Sequence, residues 1–338
     1  MNRFTNQRYK RTPVSSARDL LGPIVKRLIR AIFFACGWWA PVKGIPVFCY
    51  HSVGDGDAPG TLPFEQFQRQ MKYLKQRGFQ AIHPDFFVRH LRNGLLSKRK
   101  YFMLTFDDGY KDNLITVFPL LRELNFPFVV FLTTEYTGRS AQWVTRDILR
   151  ELQVGAWPAE SDISREHIRR LRALPFVRKN MGRMLPHSDR QAEAFLAGLP
   201  KLASKTLLSW KDVKRMSKDG VAFGSHTCHH YFLTDLTEEQ IQTEVRDSKT
   251  KMEKATGKKV TLFCYPYAKC SETVKQIVAR EGYDAAFAHG QATCRDLRDP
   301  YAINRIFVDR STSFAEFKFF LCRGFNWYTR LRDMVRRT

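Results

Sequence analysis

From residue 45 onward the chain alternates short apolar runs with longer stretches whose apolar residues recur at helical spacing. The runs at 46–50, 101–106, 127–133, 221–224, 260–265, 284–288 and 303–308 are bounded by polar or turn residues and predict strands. The stretches at 64–77, 114–124, 210–218, 238–256 and 271–281 predict helices. Strand and helix in alternation predict a mostly parallel sheet, open or closed, and seven or so strands favour a barrel. Residues 138–205 break the rhythm, being polar, Arg-rich and helix-like, and are expected to form a helical insertion between two barrel units. Its charges are either a solvated helical face or contacts to substrate or membrane. No internal repeat interrupts the pattern.

The two ends differ from the body. Between residues 20 and 33, Leu20, Leu21, Ile24, Val25, Leu28 and Ile32 fall at helical spacing around Lys26, Arg27 and Arg30, a basic amphipathic pattern. The last segment interleaves Phe314, Phe317, Phe320, Phe325 and Trp327 with Lys318, Arg323, Arg330 and Arg332. This divides the chain into a basic N-terminal segment (1–44), a catalytic-size body (45–310) and a basic aromatic C-terminal segment (311–338). Two readings of the ends stand side by side: an in-plane membrane anchor, or two helices packed on the body. The apolar stretch 31–42 is shorter than the roughly twenty residues a spanning helix needs. It also starts too far into the chain for a simple secretory signal, so it is expected to be retained.

Composition narrows the partners. With 338 residues, 43% of them hydrophobic, the chain can bury a sizeable core, which excludes a disordered or fibrous protein. Lys and Arg number 56 against 33 Asp and Glu, a net +23, and predict an anionic partner. No helix-turn-helix, zinc-finger or RNA-binding signature is present, so nucleic acid is not expected. The 7 cysteines are odd in number and form no C-x-x-C pair, which fits a reducing compartment.

The candidate chemistry lies where apolar runs end. Thr105-Phe106-Asp107-Asp108-Gly109-Tyr110 puts adjacent carboxylates at a strand C-terminus, where barrel enzymes keep their active sites, although Asp-Asp-Gly alone is also an ordinary turn. Ser225-His226-Thr227-Cys228-His229-His230 carries histidines four residues apart that can converge on one metal ion. Tyr265-Pro266-Tyr267 closes a third run and Tyr50-His51 a fourth. Gathered at one barrel mouth, an Asp/His/His set holds a divalent ion and leaves a second Asp beside it, an arrangement suited to metal-assisted hydrolysis.

At these residues the chain resembles the polysaccharide deacetylase family, carbohydrate esterase family four, over most of 45–310. T-F-D-D-G-Y resembles the family's first motif, which implies Asp107 as general base and Asp108 as metal ligand. S-H-T-C-H-H resembles the second, H-[ST]-x-x-H, which implies His226 and His230 as ligands and His229 as a bystander. The third motif, R-x-P-[FY]-G or Y-P-Y-G, is here Tyr265-Pro266-Tyr267-Ala268, with Cys264 at the place of the usual Arg. The base must then be oriented from elsewhere, and Arg305 is the candidate. The backbone N–H of Tyr267 is the implied oxyanion donor, with Tyr110 and Pro266 on the substrate side. The usual C-terminal L-x-H is absent, and the N-terminal Y-H, similar to that of exopolysaccharide deacetylases with permuted motif order, points to His51 as general acid.

The resemblance implies an α/β fold, a distorted (β/α) barrel of seven or eight mostly parallel strands. It also implies one divalent ion, zinc first and otherwise cobalt, nickel or iron. The implied reaction is removal of an N-acetyl or N-formyl group from an amino sugar, polymeric or lipid-linked. With the basic ends, the expected location is cytoplasmic, peripheral on an anionic inner-membrane surface. The rivals are a non-catalytic carbohydrate-binding relative and a different metal-dependent hydrolase, which would more typically carry ligands for a second metal.

Overall fold

Strands that are apolar on both faces need cover on both sides, and this sheet provides it. The computed structural model describes residues 28–54, 61–93, 100–139, 206–288, 293 and 299–335. The strands are β1 (Val47–Tyr50), β2 (Ser52–Val53), β3 (Thr61–Leu62), β4 (Gln80–Ala81), β5 (Tyr101–Phe106), β6 (Phe128–Leu132), β7 (Ala222–Ser225), β8 (Leu262–Cys264), β9 (Ala285–Phe287) and β10 (Ile306–Phe307). The main sheet runs β10-β1-β5-β6-β7-β8-β9, with β4 also on β5, and every pairing is parallel.

The helices are α1 (28–37), α2 (Phe64–Gln76), α3 (Pro84–Asn93), α4 (Phe118–Glu123), α5 (Trp210–Lys218), α6 (Glu238–Thr256), α7 (Glu272–Arg280), α8 (Phe314–Phe320) and α9 (Arg323–Val335). Capping boxes at Ser209/Asp212 and Thr237/Gln240 start α5 and α6, and Gly257, in the left-handed region at φ 70°, ends α6. Ahead of α4 the chain makes a wide turn over Asn113–Val117, in which Phe118 N–H reaches back five residues to Asn113 O. Pro119, having no N–H, breaks the tighter ladder there.

Strand alternation sorts the side chains into two cores. Val47, Met103, Val129, Phe131, Leu262, Ala285 and Phe287 face inward and pack with Phe87 and Val88 of α3. The intervening residues, among them Phe48, Leu104, Phe106, Val130 and Phe263, meet the outer helices. Gly224 is required by this interior, since a Cβ there would lie 2.4 Å from the Phe131 ring.

The fold is thus the expected distorted (β/α) barrel, curled until residues 303–308 span its two edges. Ile303 pairs with Phe287 of β9, whereas Ile306 and Phe307 pair with β1. That split is why the last strand is shorter than the apolar run at 303–308 predicts. The two-residue strands and α3 do not stand out in the sequence. The insertion expected over 138–205 lies outside the described residues, apart from 138 and 139. The ends pack on the body, with Phe317, Phe319, Phe320 and Phe325 buried in the outer core.

Candidate active site

Adjacent residues of a strand point to opposite faces, so two consecutive acids share one site only if the chain leaves the strand between them. Asp107 keeps the inward parity of Met103 and Thr105. Asp108 and Gly109 then adopt left-handed φ values of 72° and 78°, turning the second carboxylate to the same mouth. His226 continues the inward parity of Gly224 at the end of β7, and Thr227 and His230, with φ of 67° and 56°, fold the following loop back over the barrel. Of the six non-glycine residues with positive φ among the described residues, five lie at this mouth: Asp108, Thr227, His230, Tyr267 and Ala268. Such strain persists where the surroundings over-determine it.

Asp108 Oδ1 lies 3.6 Å from His226 Nε2 and 3.5 Å from His230 Nε2. All three residues are buried, and this oxygen has no hydrogen-bond partner. His226 Nδ1 donates to the Cys264 carbonyl at 2.8 Å, and His230 Nδ1 is hydrogen-bonded to the Tyr267 hydroxyl at 3.0 Å. Each outer bond fixes a ring so that Nε2 faces the carboxylate, the usual support of a metal-binding histidine. Burial raises the Asp108 carboxyl pKa, against the lowering effect of the neighbouring histidines and a hydrogen bond from Tyr110. An orphaned, buried carboxylate oxygen between two imidazole nitrogens fits a divalent cation.

A second grouping, Asp107, His226 and Cys264, is less suited to one. Both Asp107 oxygens are taken by Arg305, and burial pushes the Cys264 thiol well above its ordinary pKa, away from the thiolate a metal requires.

Arg305 grips Asp107 in a two-pronged pair, Nη1 to Oδ1 and Nη2 to Oδ2, both 2.7 Å. It also donates to Thr105 Oγ1 at 3.1 Å and contacts Cys264 Sγ at 3.0 Å. Burial would raise the Asp107 pKa, but the guanidinium charge and hydrogen bonds outweigh it and hold the carboxyl far below the usual carboxylate range. Cys264 occupies little of the space between strands, and the guanidinium from residues 303–308 fills the rest. The structure therefore brings Arg305 to Asp107, where the sequence offers it only as a candidate.

His51 Nε2 is 4.0 Å from Asp107 Oδ2, and its ring packs edge-on against Phe307. Its loop is tied down by Asn113 Nδ2, which donates to His51 O at 3.0 Å. On the far side of the metal-type cluster, Pro266 is buried and Tyr267 is 37% exposed, stacked on Phe232 with ring centroids 3.8 Å apart. Ala268 sits at φ 54°, where the resembling motif has glycine. Ala268→Gly should therefore leave the fold as stable or about 1 kcal/mol more stable, the relief of left-handed strain being partly offset by glycine's chain entropy. Ala268→Val should clearly destabilise it. Thermal melts decide, and a drop in Tm for the glycine variant would contradict the strain.

One residue of the site escaped the motif reading. Glu244 of α6 accepts the backbone N–H groups of Cys228 and His229 at 3.0 and 2.9 Å through Oε2, and pairs with His229 Nδ1 at 2.6 Å through Oε1. His229 is thus a clamp on the loop carrying His226 and His230. The signal was present: α6 buries Ile241, Glu244, Val245, Ser248 and Met252, a helical stripe with one carboxylate in it. Glu244→Gln should weaken divalent-metal affinity by about 10-fold to 100-fold, the usual effect of a lost outer hydrogen bond. Titration of the chelated protein with zinc or cobalt measures it, and unchanged affinity would reduce Glu244 to a packing residue.

A family profile described as "Polysaccharide deacetylase" matches residues 96–286. YxkH of Bacillus subtilis (strain 168), whose name assigns it to the polysaccharide deacetylases, is 21% identical over 277 residues, covering 82% of this chain and 75% of that one. The Streptococcus pyogenes deacetylase PplD, solved with acetate, superposes with a TM-score of 0.58 at 20% identity over 82% of this chain and 96% of its own. IcaB from Ammonifex degensii does so with a TM-score of 0.58 at 19% identity, over 82% and 97%. At such identity the likeness of the solved structures establishes the fold.

Proposed function

Because this chain belongs to the polysaccharide deacetylase family, we propose that it is a metal-dependent hydrolase removing an N-acetyl or N-formyl group from an amino sugar. The sugar would stand in a polysaccharide or a lipid-linked saccharide. The observation that carries this reading is the convergence of Asp108 Oδ1, His226 Nε2 and His230 Nε2 beside a second carboxylate that is held separately. Two imidazoles and a carboxylate favour zinc, with cobalt, nickel or iron as substitutes. A divalent ion held by these three residues supplies polarisation of the acyl carbonyl and a lowered water pKa.

The chain's own groups do the rest. Arg305 favours the ionised form of Asp107 and aims it, so Asp107 Oδ2 accepts the proton of the attacking water. His51 Nε2, facing the same oxygen, delivers a proton to the departing amine as the C–N bond breaks, leaving carboxylate and free amino sugar. The Tyr267 backbone N–H receives the developing oxyanion, and Tyr110 and Pro266 border the acyl group. The basic amphipathic ends support a place on the cytoplasmic face of a bacterial inner membrane, peripherally attached. A lipid-linked saccharide would then meet the site at that surface.

The test is release of acetate and formate by metal-loaded protein from a panel of N-acylated oligosaccharides and lipid-linked amino sugars. Asp107→Asn should cut release by about 10²-fold to 10⁴-fold, the usual contribution of a general base. No release from any panel member by protein that holds metal would favour a carbohydrate-binding relative instead.

A further inference from the structure

The two ends of the chain, remote in sequence, form one structural unit. The Gly37 and Gly324 backbones touch, since a Cβ on Gly37 would lie 2.2 Å from Gly324 N and one on Gly324 1.9 Å from Phe33 O. Farther along, Phe33 packs on Tyr328 and Arg30 lies over the same ring, so α1 and α9 run past each other in opposite senses. Arg30, the one charged residue of α1, is also paired with Glu316 of α8.

Much of what this pair leaves outward is apolar. Leu28, Ala31, Ile32, Ala35, Trp38 and Trp39 are all exposed, and their spacing is that of a single helical stripe. Leu331, Met334 and Val335 at the far end of α9 are exposed as well. Seven of the nine large hydrophobic side chains exposed among the described residues thus belong to α1, α9 and the turn after α1. The same regions concentrate charge. Residues 1–44 and 311–338 hold fifteen Lys and Arg against three Asp and Glu, +12 of the chain's +23.

We infer that the α1–α9 pair is a docking surface for an anionic phospholipid bilayer. The apolar stripe and the two tryptophans enter the headgroup boundary while basic residues of the terminal segments, Arg330 among them, meet lipid phosphates. Apolar exposure alone would suit a second copy of this chain equally well. The terminal segments that form this apolar face hold about half of the chain's positive excess in their sequence, which disfavours a second copy and is complementary to acidic lipid. The inference adds a site to the peripheral attachment proposed above and is independent of the hydrolytic chemistry.

The experiment is sedimentation of the full chain with vesicles of phosphatidylcholine alone or with phosphatidylglycerol, at about 0.15 M salt, where the Debye length is about 8 Å. The protein should pellet with the anionic vesicles, with blue-shifted tryptophan emission, and remain in the supernatant with neutral ones. Trp38→Ser/Trp39→Ser, at exposed positions, should bind at least tenfold more weakly while keeping the Tm and any acyl release from water-soluble substrate. Arg330→Glu should lower binding in the same assay. Protein that stays in the supernatant, or a double variant that binds as the parent does, overturns the inference. So does a vesicle-free dimer that the double variant dissolves, which would assign the face to a second copy. Absence of acyl release would sink the enzymatic reading and leave the sedimentation result standing.

Discussion

Replacing Arg305 by alanine should cost the fold about 3–5 kcal/mol, because it leaves a buried carboxylate without its partner. Asp107 is only 3% exposed, and both of its oxygens rest on the guanidinium. For a domain of this size the loss corresponds to a Tm lower by roughly 10 °C. Acyl release should fall at least 100-fold, since the carboxylate proposed as base loses its aim as well as its charge partner. The pair also sets a pH dependence with a definite sign. A carboxyl whose folded pKa is depressed contributes stability that is fully present above its unfolded pKa, about 3.9. That stability is lost as pH falls below about 4, so the parent should show an acid-side decline that Arg305→Ala lacks. Adding Cys264→Arg to the alanine variant provides a sharper check. Cys264 Sγ already sits 3.6 Å from Asp107 Oδ2, so a guanidinium from β8 can enter the vacated volume. Partial recovery of Tm and rate is expected. An Arg305→Ala protein that melts and turns over like the parent would remove Arg305 from the site.

How much of this was legible beforehand depends on how local the cause is. The run 101–106 ends where Lys100 and Asp107 bound it, and β5 is Tyr101–Phe106. Helices α5 and α6 start at capping boxes written in consecutive residues, so their predicted bounds match. The helix at 271–281 comes out one residue shorter at each end, because Ser271 is its cap and Glu281 its stop. Features that need two distant segments were opaque. Helix α3 carries Phe87 and Val88 in a short apolar stretch that periodicity leaves unassigned and that packs into the barrel interior. The Asp107–Arg305 pair spans 198 residues, and sequence could only nominate Arg305 by default. Glu244 was visible as a charge inside an apolar stripe, but its partners, 15 and 16 residues earlier, were not. The ends were left between anchoring and packing. In the structure α1 packs with one side and exposes the other, and the exposed side is the one proposed above for docking.

Asp108→Asn should move stability and function in opposite directions. In protein stripped of metal, Asp108 Oδ1 is a buried acceptor without a hydrogen-bond partner, and burial already disfavours its charge. The amide removes that charge at constant size. It also tolerates the backbone, since Asn enters the left-handed region more readily than most residues, and Asp108 sits at φ 72°. The chelated variant should therefore melt at or above the temperature of the chelated parent. Adding zinc should raise the Tm of the parent, because a ligand bound only by the folded state stabilises it, and should leave the variant nearly unchanged. Acyl release should fall by about 10³-fold or more, a loss of roughly 4 kcal/mol in transition-state stabilisation. Asp108→Ala is the control for geometry: it also loses metal and activity, but it places a Cβ-bearing residue without a polar side chain in the left-handed region, at a cost of about 1–2 kcal/mol. A chelated Asp108→Asn protein less stable than Asp108→Ala would mean that the carboxylate is a structural acceptor. The pair of histidines would then need another explanation than an ion between them.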